Sequence, residues 1–169
     1  MFVRFSSKTQ IAVGLRSVGL TPDAEPGTWQ AMNRDELAAR EGIRHTIARY
    51  AHCADSGRFD EMVSLFTEDG ALEIDGRATF RGRAAILDFL TDTKKNLQAD
   101  AERPFIRHHV SSVLIDLTAA GQAKASSYFF CITQRGPDHW GRYRDRFVLR
   151  EGMWLFAHRR VQLDGRATK

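Results

Sequence analysis

Past residue 105 the chain changes its period. Segments 106–117, 123–133, 139–150 and 153–163 alternate apolar and polar side chains and are separated by short turns, whereas residues 33–97 repeat apolar side chains mostly at helical spacing. Strands that follow one another across short turns pair antiparallel, and the apolar face they share must be covered by the helices that precede them. The order predicts an α+β domain: a cone-shaped, curved, mostly antiparallel sheet with N-terminal helices closing a pocket. A concave apolar space of that kind suits a small hydrophobic ligand.

Within the first half, Asn33 is placed to cap a helix whose buried side carries Leu37, Ile43, Ile47, Tyr50 and Ala54. A second helix is expected over 58–66, stopped by Glu68-Asp69-Gly70. Short strands at 71–74 and 78–80 flank the hairpin signal Asp75-Gly76, and Ile86, Phe89 and Leu90 mark a helix over 84–97. Residues 1–31 read differently. Their turn-formers, Thr21-Pro22-Asp23-Ala24-Glu25-Pro26-Gly27, argue for a disordered extension, with Met32 an alternative initiator. The domain proper is expected over 32–165, followed by a tail at 166–169.

A chain of 169 residues suits one core. No apolar run reaches membrane-spanning length, and the composition predicts a cytoplasmic protein without a membrane partner. The net charge of +4 is spread among acids, with no nucleic-acid-binding motif, so no nucleic-acid partner is expected. Cys53 and Cys131 fall in a helix and a strand and read as buried free thiols.

The chemistry begins with Asp55. Ile43, Ile47 and Ala51 recur every fourth residue, and the next step along that row is Asp55, followed by the helix stop Gly57. The helix C-terminus disfavours a carboxylate by roughly 0.3–1 kcal/mol. An aspartate kept there is either a site residue or is satisfied by backbone amides in a polar turn. In 107–115, alternation sets His108, Val110, Ser112 and Leu114 against His109, Ser111, Val113 and Ile115. One histidine must point inward, where an imidazole can pair with Asp55. Further on, Tyr143, Asp145, Phe147 and Leu149 share one face, and Arg159 lies with Leu155, Ala157 and Val161. Arg159 is the expected partner of Asp145, as a structural ion pair or as part of a site. Tyr143 reads equally as a core aromatic.

Taken together, these residues resemble the SnoaL-like branch of the nuclear-transport-factor-2-like superfamily over about residues 33–164. The similarity rests on Ile47-Ala48-Arg49-Tyr50 with Asp55 and Phe59-Asp60, on Leu65-Phe66-Thr67-Glu68-Asp69-Gly70, and on Arg107-His108-His109-Val110-Ser111-Ser112. It continues through Gly141-Arg142-Tyr143-Arg144-Asp145-Arg146 and through Trp154 with His158-Arg159-Arg160-Val161. Within the superfamily the chain is most similar to the group of scytalone dehydratase and bile-acid dehydratases, and to a dehydrochlorinase with an Asp–His dyad.

The resemblance implies that Asp55 is the helix-end aspartate, His108 the strand histidine and Tyr50 the hydrogen-bond donor, all catalytic. Tyr143, Asp145, Arg159 and Ser112 are the candidate substrate-binding residues, with Ser112 standing where the family usually has asparagine. It implies elimination without cofactor or metal on a small steroid, aromatic or polyketide-like substrate. The same fold also hosts cyclases, isomerases and non-catalytic modules such as the small subunit of ring-hydroxylating dioxygenases. Phe130, Trp140 and Trp154 are expected on the outer sheet face among arginines, and relatives often assemble, so a homo-oligomer, dimer or trimer, is expected.

Overall fold

The computed structural model describes residues 31–98 and 105–168. Residues 32–169 form one compact unit; the expected disordered extension falls on residues that, save the last, lie outside the described ones. The first helix, α1 (Arg34–Ser56), starts at a capping box in which Asn33 Oδ1 accepts from the Glu36 amide while Glu36 accepts from that of Asn33. It stops at Gly57, whose φ of 67° closes the last turn in the left-handed region. Then come α2 (Phe59–Ser64), β1 (Phe66–Ile74), β2 (Ala78–Arg81), α3 (Gly82–Gln98), β3 (Ile106–Ala119), β4 (Gln122–Thr133), β5 (Gly136–Arg150) and β6 (Met153–Arg166).

The strands form one sheet in the order β2-β1-β6-β5-β4-β3, antiparallel except where β1 runs parallel to β6. The α+β architecture read from the sequence is the one observed. Ile43, Met62, Phe66, Leu72, Ile86, Phe147 and Phe156, each at most 1% exposed, hold the helices to one sheet face.

Three local expectations are corrected. Glu68-Asp69-Gly70 does not end α2, which stops before Leu65; those residues lie in β1, where four residues between Phe66 and Ala71 oppose the single Ala157 of β6. Pairing with β6 draws them into the sheet as a bulge. In β3 the register shifts between Ser111 and Leu114, with Ser112 at a φ of 52°. The bulge inverts the alternation, so Val113, Ile115 and Leu117 join the core while Leu114 is 62% exposed. Trp154 is not on the outer face. It is 8% exposed and lies under α1, which passes so close that a Cβ on Gly42 would meet its Cδ1 at 2.8 Å.

Candidate functional site

The last turn of α1 meets β3 through Asp55. Its carboxylate accepts the backbone N–H of His108 at 3.1 and 3.3 Å, and Oδ1 lies 2.7 Å from His108 Nδ1. The two side chains are 14% and 15% exposed. A carboxylate at Nδ1 selects the tautomer protonated there and leaves the Nε2 lone pair for another partner. His109 points the other way and is exposed, its ring 6.5 Å from that of Phe130. Alternation alone left open which histidine turns inward; it is His108, the one the resemblance implied.

Deeper on the same face stands a group of aromatic rings. Tyr50, five residues before Asp55 on α1, packs edge-on against Phe66, Tyr143 and Phe156 at 6.1, 6.4 and 5.6 Å between centroids. Tyr143 stacks on Phe129 at 4.5 Å. Burial pushes the Tyr50 phenol upward against the pull of Arg159, and raises Tyr143 well above its ordinary range, so both remain protonated donors.

Arg159 lies at the centre of this group. Its guanidinium sits 4.2 Å from the Tyr50 ring, 4.1 Å from Tyr143 and 4.2 Å from Phe156. Asp145 holds it in a two-pronged pair, Nε to Oδ1 at 2.9 Å and Nη2 to Oδ2 at 2.7 Å, with both side chains fully buried. Burial disfavours the Arg159 charge, but Asp145 more than offsets it, and the guanidinium stays cationic. Arg159 Nη1 and Ser127 Oγ are buried with no hydrogen-bond partner among the described residues.

Asp55 and His108 are therefore brought into contact, as are Asp145 and Arg159, and Tyr50 and Tyr143 line the face between them. Ser112 is not brought to that face: it is exposed in the β3 bulge. Two clefts open on other surfaces. One, of about 400 Å³, lies on α1 around His45, Arg49 and His52; the other, of about 550 Å³, lies on the outer sheet between Asp116, Lys124, Arg146 and His158. Neither is lined by Asp55 or His108.

Cys131 is the buried free thiol expected of it, but sequence reasoning missed its place beside the site and missed Asp138 and His139. Registers place His108 opposite Cys131 and Cys131 opposite His139, so the three share one row across β3, β4 and β5. The signal was present. Stepping back by twos from Tyr143 and Gly141 along β5 reaches His139 on the same face.

This fold has counterparts. Residues 35–160 match the model of the SnoaL-like domain, and the chain belongs to that family. No curated protein matches the chain in sequence. Among solved structures, a provisionally assigned scytalone dehydratase from Novosphingobium aromaticivorans DSM 12444 superposes with a TM-score of 0.68 at 23% identity, covering 78% of this chain and 87% of that one. A protein from Catenulispora acidiphila, solved in complex with S-DNPA, gives 0.66 at 27% identity over 76% and 95%. The β subunit of a provisionally assigned aromatic-ring-hydroxylating dioxygenase from N. aromaticivorans gives 0.64 at 20%, over 76% and 91%.

Proposed function

We propose that this chain is a cofactor-independent lyase of the dehydratase type, acting on a small hydrophobic hydroxylated compound. The observation that carries the reading is the hold of Asp55 on both the Nδ1 and the backbone N–H of His108. It orients the ring and presents Nε2 as a base, and the carboxylate balances the imidazolium that forms. His108 takes the proton from carbon beside a carbonyl, a carbon–carbon double bond forms, and the hydroxyl two carbons from the carbonyl leaves as water with that proton. Tyr50 donates a hydrogen bond to the departing hydroxyl or the developing enolate. Arg159, with Nη1 uncommitted, and Tyr143 hold a substrate oxygen at the deep end, and Asp145 keeps the guanidinium in place.

The small-molecule complex of the C. acidiphila relative supports a ligand on this fold. The backbone contact also favours a second reading, in which Asp55 merely ties β3 to α1 in a binding or assembly module. A screen of hydroxylated fused-ring and steroid carbonyl compounds, followed by the absorbance of the new conjugated double bond, separates the two. Turnover that disappears in folded His108→Gln supports the lyase. Turnover that survives in that variant contradicts it.

A further inference from the structure

The row that begins at His108 ends in a second imidazole with its own carboxylate. His139 Nδ1 lies 2.5 Å from Asp138 Oδ2, and its side chain is 21% exposed. Between the two histidines sits Cys131, fully buried. Burial, and then the carboxylates of Asp55 and Asp138, push its thiol up to about 12, so it stays a neutral group between them. Burial lowers His139 despite Asp138, and His108 and Arg166 add to that effect, so its ring is neutral in weakly basic solution. With Asp138 at Nδ1, the His139 lone pair is on Nε2. Phe129 packs edge-on against the ring at 5.9 Å and stacks on Tyr143, so an aromatic wall runs from His139 into the site.

Two strand spacings of ~4.8 Å separate the backbones of the two histidines, about 10 Å in all, which is comparable to the length of a fused-ring molecule. We propose that His139, held by Asp138, is a second ligand-binding group of this site, accepting at Nε2 a hydrogen bond from a hydroxyl at the end of the ligand away from His108. This rests on the reading of the His108 face as the ligand site and adds to it a preference for a ligand with a donor at that far end.

The test compares a naphthol with its methyl ether as probes, titrated into the full chain while the imidazole nitrogens are followed by NMR. The naphthol should bind about fivefold to tenfold more tightly, as one added hydrogen bond of ~1 kcal/mol implies, and should shift His139 Nε2 where the ether does not. His139→Phe should equalise the two affinities. His139→Gln, whose amide oxygen can still accept, should keep part of the difference. Equal affinities in the wild type, no binding of either probe, or loss of the preference in His108→Gln but not in His139→Phe would each overturn the assignment. Because the readout needs no turnover, failure of the lyase reading leaves this preference intact, so the two failures are distinguishable.

Discussion

Asp145 and Arg159 place two full charges where neither meets water, and the energetic consequence is asymmetric. The two-pronged geometry and the three rings around the guanidinium offset its desolvation, but removing one partner strands the other. Asp145→Leu should therefore cost about 3–5 kcal/mol in urea unfolding, whereas Asp145→Leu with Arg159→Met should recover most of that loss. A single substitution that costs less than about 1 kcal/mol would mean that the pair is not buried as described. The sequence carried this pair openly, because alternation in two adjacent strands put both residues on the inner face. It carried Asp55 and an inward histidine as well. Ser112 was misplaced for a physical reason: one residue at positive φ inverts every side chain beyond it, and serine gives no more warning of that conformation than its neighbours do.

At the scale of elements, legibility followed how local the determining forces are. The start and stop of α1 were readable because capping chemistry acts within a few residues of Asn33 and Gly57. The four long strands were readable from period alone. The start of β1 was not, because Glu68-Asp69-Gly70 has the composition of a turn and is held extended only by β6, which arrives more than eighty residues later. Trp154 failed as Ser112 did: a register shift at Ala157, where Arg146 pairs with His158 but Phe147 with Phe156, inverts the alternation of β6 and turns Trp154, with Phe156, to the helix-covered face beneath Gly42 of α1. The missed row of Cys131 and His139 lay within reach of the same alternation that found Tyr143 and Asp145. A bulge in the pairing of β4 with β5 follows Cys131, and no sequence period marks it.

For the molecule as a whole, the helix-covered face holds the core and the candidate site, while the outer face carries half-buried Phe130 beside Trp140, 38% exposed, and Tyr128, 57% exposed. With Trp154 withdrawn to the core, these aromatics still favour self-association. Light scattering at micromolar concentration should give two or three times the chain mass of 19.1 kDa, and a monomer alone would contradict that expectation. The contact of Asp55 with His108 must serve chemistry and not merely tie α1 to β3. A double-mutant cycle on turnover of the identified substrate tests it most directly, with unfolding measured on each variant. Asp55→Asn and His108→Gln should each lower kcat by about 10²–10⁴-fold while the protein stays folded. The double variant should be little worse than either alone, since groups that act as one unit fail together. Full activity in both folded single variants, or losses that multiply as from independent groups, would contradict the account.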